Sequence, residues 1–192
     1  MKPESGSVRL SGCSAIGYMF QRDHLFEWRT LYQNVMLGPE LHHRQTPETI
    51  FRVNQMIDSY GLKDFCGSSP SALSGGMRQR AALIRTLAIE PSLLILDEPF
   101  SALDYQTRLD VTDDIATLIR ETGKTVLMVT HDLSEAVSVA DRILVLSGRP
   151  CSLKADIAVS FPGQITSPVK RREHPHFSVL FNQVWKELKK ES

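Results

Sequence analysis

The apolar positions in the second half of the chain switch between strand spacing and helix spacing. Residues 93–96 form an uninterrupted run, Leu-Leu-Ile-Leu, which is typical of a parallel strand covered on both faces. Apolar residues at helical spacing follow, and Gly123 comes after them as a predicted C-cap. The apolar positions of this predicted helix are Val111, Ile115 and Leu118.

The same alternation continues as far as residue 146. Two more strands are predicted, at residues 125–130 and 143–146, and a second helical pattern lies between them. Its apolar positions are Leu133, Ala136, Val137 and Ala140. Strands and helices that alternate in this way predict an open parallel sheet in an α/β fold, with residues 143–146 as the last strand of the series.

The first half of the chain has a different pattern. Residues 16–20 form an apolar, strand-like run, but no comparable strand is found between residues 23 and 85. Helices are predicted there instead, over residues 31–37, 47–60 and 76–88. The simplest interpretation is a helical insertion into an α/β core.

The chain after Gly148 is weakly patterned until residues 177–188, which are predicted to form a short amphipathic helix. The basic cluster Lys-Arg-Arg at residues 170–172 is expected to be a solvated surface rather than a binding patch, because exposed charge usually faces water.

Composition and charge narrow the functional classes. The 192 residues carry 22 Lys and Arg against 22 Asp and Glu, so no electrostatic attraction to nucleic acid is expected. Cys13, Cys66 and Cys151 are far apart and odd in number, which favours free thiols over a zinc site. Residues 1–7 are polar, and no apolar stretch approaches the roughly 20 residues that cross a bilayer. We therefore expect a cytoplasmic protein that meets a membrane only through a partner protein.

Two acidic residues directly follow the apolar run at residues 93–96. Ligands of open parallel sheets bind beyond the carboxyl ends of the strands, so Asp97 is well placed to hold Mg²⁺, which prefers oxygen ligands. Glu98 could orient or deprotonate a water that attacks a terminal phosphate. The alternative is an acidic pair that only caps a helix.

The segment Ser74-Gly75-Gly76 suggests an anion site. Ser74 is a good N-cap for the helix that follows, and two glycines let the backbone approach an anion at the positive end of the helix dipole. The alternative is a simple turn before a helix. His131 ends the strand pattern at residues 125–130, where it could donate a hydrogen bond to a phosphate oxygen.

Four segments in this order resemble the nucleotide-binding subunit of ATP-binding cassette (ABC) transporters. They are Leu73–Arg80 (LSGGMRQR), Leu93–Pro99 (LLILDEP), Ser101–Asp104 (SALD) and Val126–Asp132 (VLMVTHD). The resemblance implies a P-loop NTPase fold with a parallel-sheet core and a helical insertion subdomain. It also implies ATP and Mg²⁺ as cofactors.

The resemblance implies roles for individual residues. Asp97 corresponds to the magnesium aspartate, Glu98 to the catalytic glutamate and His131 to the switch histidine. Gln21 is similar to the glutamine that senses the metal and links the core to the helical subdomain, and Asp104 to the D-loop aspartate. Ser74, Gly75 and Gly76 correspond to the signature sequence, which contacts the nucleotide held by the second subunit of a dimer.

Residues 16–23 and 25–30 look like the importer branch that serves nitrate, sulfonate and taurine-type solutes. That likeness implies a second ABC ATPase subunit, transmembrane permease subunits and a periplasmic or lipid-anchored solute-binding protein as partners, with no role for nucleic acid. The chain would then lie on the inner face of the cell membrane, bound through the permease.

One expected element is absent from the sequence. No segment fits the P-loop pattern Gly-x-x-x-x-Gly-Lys-Ser/Thr, because Leu118 stands where Gly123-Lys124-Thr125 would require the first glycine. That triplet also lies between a predicted helix and a strand, the reverse of the required order. We expect the chain to lack the first strand, the P-loop and most of the β subdomain, and to be incapable of ATP hydrolysis alone.

The predicted organisation is one partial ABC ATPase domain. Residues 1–22 lead to Gln21, 23–88 form the helical subdomain, 89–147 form the core, and 148–192 form a C-terminal tail. Two functional hypotheses remain: an importer ATPase subunit, and a non-catalytic regulatory or dimerisation partner of an intact ATPase. An ABC-type protein acting on nucleic acid or ribosomes is disfavoured by the balanced charge and the single signature copy.

Overall fold

Three short parallel strands form the sheet that organises the first part of the molecule. The computed structural model describes residues 5–10, 15–148, 151–163 and 165–190. Strands β1 (Ile16–Met19), β2 (Leu93–Asp97) and β3 (Thr125–Val129) pair in the order β1–β2–β3. All pairings are parallel, so the three carboxyl ends meet at one edge, and the predicted α/β class with a parallel sheet is confirmed.

The described elements cover one face of this sheet and leave the other open. Leu94 and Leu96 of β2 are buried in the main core, whereas the intervening Leu93 and Ile95 are only half-buried. On the same open face, Leu127 and Val129 of β3 each remain 50% exposed. The predicted cover on both faces of residues 93–96 is therefore wrong for one face, because no described helix packs there.

All described elements between β1 and β2 are helical. They are α1 (Leu31–Val35), α2 (Leu37–Leu41), α3 (Pro47–Ser59) and α4 (Gly75–Leu87), with short 3₁₀ turns at Lys63–Phe65 and Pro70–Ala72. Side-chain caps explain where three of these helices begin: Thr30, Thr46 and Ser74 each accept a hydrogen bond from a backbone N–H in the first turn.

Helix α4 packs against α5 (Tyr105–Thr122) and against the covered face of the sheet. Close approach to β1 requires Gly17, since a Cβ there would lie 2.8 Å from the Thr86 methyl group. Helix α5 ends at Gly123 in the left-handed conformation, with a φ of 59°, as predicted. Gly123-Lys124-Thr125 is therefore a helix C-cap followed by a strand.

The last predicted strand does not join the parallel sheet. After α6 (Leu133–Val139), strand β4 (Arg142–Leu146) pairs antiparallel with β5 (Leu153–Ala158). The prediction that residues 143–146 close the parallel series is thus wrong for the described residues. The physical reason is a second core, in which Val145 of β4 and Ile157 of β5 pack with Val184. Strand β5 was not predicted, because its sequence alternates only weakly.

The C-terminal part ends in α7 (Pro168–Glu173) and α8 (His176–Lys189), and α8 confirms the predicted amphipathic helix. Arg171 of α7 is only 5% exposed, so the expectation of a solvated basic cluster is wrong for this residue. Its guanidinium donates hydrogen bonds to the carbonyls of Ile165 (2.8 Å), Ala140 (3.0 Å) and Ser138 (3.2 Å). It thereby ties α7 to the end of α6.

Two further expectations concern membranes and thiols. Within the described ranges, no helix is long and apolar enough to cross a bilayer. Cys66 and Cys151 are free thiols, as expected, and Cys13 lies outside the described residues.

We expect Arg171→Ala to lower the free energy of unfolding by about 3 kcal/mol, because it removes this donor from one buried and two half-buried carbonyls. Urea denaturation followed by circular dichroism measures this change. Lys170→Ala, at the exposed neighbouring position, is the matched control and should stay within about 0.5 kcal/mol of the unmodified chain. Equal effects of the two substitutions would contradict the role given to Arg171.

Gly76 provides a second test, of the contact between α4 and α5. A Cβ at Gly76 would lie 2.8 Å from Thr107 Cγ2 and 3.1 Å from Val111 Cγ2, whereas one at Gly75 would meet only Leu103 Cδ2 at 3.4 Å. We expect Gly76→Ala to destabilise the fold by about 1–3 kcal/mol through overpacking, and Gly75→Ala to be nearly neutral. Urea midpoints of the two variants that coincide would refute this packing argument.

Candidate nucleotide site at the carboxyl edge of the sheet

Four predicted site residues lie together at the carboxyl edge of the sheet. Asp97 ends β2 and Glu98 follows it, while Gln21 and His131 come just after β1 and β3. We call Gln21, Asp97, Glu98 and His131 the carboxyl-edge cluster. The in-register pairing of the strands brings these residues together, although Gln21 and Glu98 are 77 positions apart in sequence.

Glu98 is the centre of this cluster. Its Oε2 accepts a hydrogen bond of 2.8 Å from Gln21 Nε2, and its Oε1 lies 3.0 Å from Nδ1 of His131. The side chain of Glu98 is 27% exposed, whereas that of His131 is 74% exposed and open to a ligand. One carboxylate thus connects the ends of the first and third strands.

The backbone at Glu98 is strained and strongly held. Its φ of 44° is in the left-handed region, which L-residues other than Asn and Asp rarely adopt. The Glu98 N–H donates to the Val129 carbonyl at 2.8 Å, and the Ser101 hydroxyl donates to the Glu98 carbonyl at 3.1 Å. The buried Gln79 of α4 donates to the carbonyl of Pro99. These bonds hold the carboxylate against the open edge.

Asp97 has a partner that the sequence did not reveal. The hydroxyl of Tyr18 donates to Asp97 Oδ2 at 2.9 Å, and this hydrogen bond raises the pKa of the Tyr18 phenol. The site offers carboxylate and amide oxygens, which suit Mg²⁺. Within the described residues no group of three or more His, Cys, Asp and Glu side chains could enclose a metal. Mg²⁺ commonly takes one or two protein carboxylates and keeps several waters, and the Asp97 carboxylate meets that need.

The residues predicted to form the signature sequence lie at the start of α4. Ser74 and Gly75 are exposed, and the Ser74 hydroxyl accepts a hydrogen bond of 3.3 Å from the Met77 N–H. Gly76 is buried against α5, so its lack of a side chain serves packing as well as any approach to an anion. Among the described residues, no hydrogen bond joins Ser74 to the carboxyl-edge cluster.

Asp104 has a comparable position at the start of α5. It is exposed, and its Oδ1 accepts a hydrogen bond of 3.1 Å from the Thr107 N–H. Hydrogen bonding by Thr107 holds the pKa of the Asp104 carboxyl below its usual value. Its conformation is therefore that of a helix N-cap, and its carboxylate stays charged and accessible.

Two arginines of α4 hold the segment that follows Gln21, and sequence reasoning missed both. Arg78 Nε donates to Asp23 Oδ2 at 2.9 Å, and Arg85 donates to the carbonyls of Asp23 (2.6 Å) and His24 (2.7 Å). Burial opposes ionisation of Asp23, but the hydrogen bonds from Arg78 and the Leu25 N–H, together with the nearby arginine charges, outweigh it, so the pKa of this carboxyl is lowered. The available sequence signal was the spacing of two helical turns between the arginines, which places both on the same face of α4.

Comparison with known proteins places this geometry in a family. A family model described as "ABC transporter" matches residues 2–101. The uncharacterized ABC transporter ATP-binding protein YtlC of Bacillus subtilis is 40% identical over 98% of this chain and 75% of its own length. The nitrate import ATP-binding protein NrtD of Synechocystis sp. is 36% identical over 88% of this chain, which spans 66% of that relative.

Two further similarities agree. The taurine import ATP-binding protein TauB of Roseobacter denitrificans is 32% identical over 96% of this chain and 74% of its own length. A solved ABC transporter in an inward-facing conformation has the same fold, with a TM-score of 0.66 at 23% identity, over 80% of this chain and 62% of that one. From its sequence and its fold, the chain belongs to the ATP-binding domain family of ABC transporters.

Proposed function

We propose that this chain is the ATP-binding subunit that energises an importer of nitrate-, sulfonate- or taurine-type solutes. The observation that carries the proposal is the position of Glu98, held by Gln21 on one side and His131 on the other at the ligand-binding edge of a parallel sheet. A purely structural module has no need of this arrangement.

Each member of the carboxyl-edge cluster has a proposed role. Asp97 would hold Mg²⁺, which supplies neutralisation of phosphate charge when it is bound with ATP. Glu98 orients and deprotonates the attacking water, and His131, the most exposed member, donates a hydrogen bond to the terminal phosphate. Gln21 couples Glu98 to the helical region, because its neighbour Asp23 is bound by Arg78.

The exposed residues at two helix starts support a dimer. Ser74 and Gly75 lie exposed at the positive end of a 13-residue helix, and Asp104 presents a charged carboxylate. We propose that Ser74, Gly75, Gly76 and Asp104 complete the nucleotide site of a second ABC ATPase subunit.

The helical region is the proposed contact with the permease. Trp28 is 78% exposed and stacks on Phe26, with ring centroids 4.6 Å apart, which provides an apolar surface next to the segment after Gln21. The importer branch is supported by the names of NrtD and TauB, a nitrate and a taurine import ATP-binding protein. A periplasmic or lipid-anchored solute-binding protein belongs to the proposal only through the likeness to that branch. Such a subunit works on the cytoplasmic side of the membrane.

A second candidate is a non-catalytic regulatory or dimerisation partner of an intact ABC ATPase. It is supported by the exposure of Ser74, Gly75 and Asp104, which could complete a partner's site without catalysis by this chain. These 192 residues contain no P-loop pattern, and the P-loop lysine and amides supply the main grip on the β- and γ-phosphates. Under both candidates we expect the chain alone to bind ATP very weakly and to have no useful turnover.

A reconstitution experiment tests the proposal. The 192-residue chain is mixed with an intact, P-loop-bearing ABC ATPase whose own signature serine has been replaced, and ATP hydrolysis is measured. We expect the chain alone to be inactive and the mixture to recover activity at least several-fold, because Ser74 enters the partner's site. Ser74→Arg should abolish the recovery, whereas Ser71→Arg, at an exposed serine outside the site, should keep it.

Two results would contradict parts of this proposal. Micromolar ATP affinity or turnover by the chain alone would show that it is active without a partner. A mixture whose activity is the same with Ser74→Arg as without it would remove the composite site.

A further inference from the structure

We propose that Tyr18 is a positioning residue that aims the Asp97 carboxylate towards the divalent cation. This inference rests on the proposed role of Asp97 as the magnesium ligand and adds a residue to which the sequence pattern assigns no role. The main observation behind this inference is the hydrogen bond of 2.9 Å from the Tyr18 hydroxyl to Asp97 Oδ2.

Strand register makes this contact a consequence of the fold. Tyr18 of β1 is paired with Ile95 of β2, and side chains two residues apart point to the same face of a strand. Asp97, two residues after Ile95, therefore lies on the same face as Tyr18, one step nearer the carboxyl edge. The Tyr18 side chain is long enough to span the two-residue offset along the strands and reach Asp97.

The ring of Tyr18 is itself held in place. Its centroid lies 4.6 Å from that of Phe20, and the Phe20 ring makes an edge contact with His24 at 5.3 Å. The carbonyl of His24 is in turn bound by Arg85 of α4. Tyr18 is therefore the last ring in a row of three that begins in the segment after Gln21. This row positions it although it is 43% exposed.

The chemistry of the contact suits a supporting partner of a metal ligand. A phenol is a neutral donor, so it orients a carboxylate through one oxygen without cancelling its charge. No described residue donates a hydrogen bond to the other oxygen, Oδ1, which stays available to a cation. Removal of such outer hydrogen bonds typically weakens metal binding by about 10–100-fold.

Manganese(II), a spectroscopic substitute for Mg²⁺, is the probe for the test. Free Mn²⁺ is measured by electron paramagnetic resonance while it is titrated into the purified 192-residue chain. We expect Tyr18→Phe, which keeps the ring and removes the hydroxyl, to weaken binding about tenfold. Asp97→Asn should abolish binding at this site, and Tyr60→Phe, which removes a phenol outside the site, should change nothing.

The outcomes separate this inference from the proposed function. If Asp97→Asn loses the Mn²⁺ and Tyr18→Phe binds as tightly as the unmodified chain or more tightly, Asp97 is a ligand and the positioning role of Tyr18 is refuted. If the unmodified chain binds no Mn²⁺, or Asp97→Asn retains it, the metal assignment fails and the role of Tyr18 fails with it. Unfolding curves of Tyr18→Phe that match the unmodified chain exclude a general loss of structure.

A second measurement does not depend on metal. The ¹³C chemical shift of the Asp97 carboxyl reports its hydrogen bonding, so Tyr18→Phe should shift this resonance and Tyr60→Phe should not. An Asp97 resonance that Tyr18→Phe leaves unchanged would refute the contact on which the inference depends.

Discussion

The in-register parallel pairing of β1, β2 and β3 is the constraint on which the rest of this molecule depends. Because all three strands run in the same direction and end at the same level, residues far apart in sequence meet at one edge. Glu98 connects that edge through its two carboxylate oxygens. A shift of one residue in any pairing would turn the side chains of that strand to the opposite face and would separate the residues of the carboxyl-edge cluster.

Helix α4 transmits the position of this edge to the rest of the chain. It carries Ser74 at its start, Gln79 bound to the loop after Glu98, and Arg78 and Arg85 bound to the segment after Gln21. The signature serine and the carboxyl-edge cluster are therefore attached to one rigid element. A displacement of the helical region would move Gln21 and Ser74 together, as the proposed importer role requires.

Much of this arrangement could be predicted from the sequence. The helices and strands through residue 139 follow apolar periodicity and caps, and the four predicted residues of the carboxyl edge do lie together because strand ends are visible in sequence. Long-range contacts were less accessible: nothing in the pattern of β1 shows that Tyr18 reaches Asp97. The pairing of β4 with β5 was also missed, because an apolar run such as that of β4 does not indicate whether its partner strand is parallel or antiparallel.

The open face of the sheet has a consequence for the solubility of these 192 residues. Ile16, Leu127 and Val129 present an apolar patch to water beside the unpaired outer edge of β3 among the described strands. Such a surface favours self-association at high concentration, because two copies can bury apolar area that a single copy leaves exposed to water. The solubility of these 192 residues would then depend on whether another apolar surface covers Ile16, Leu127 and Val129.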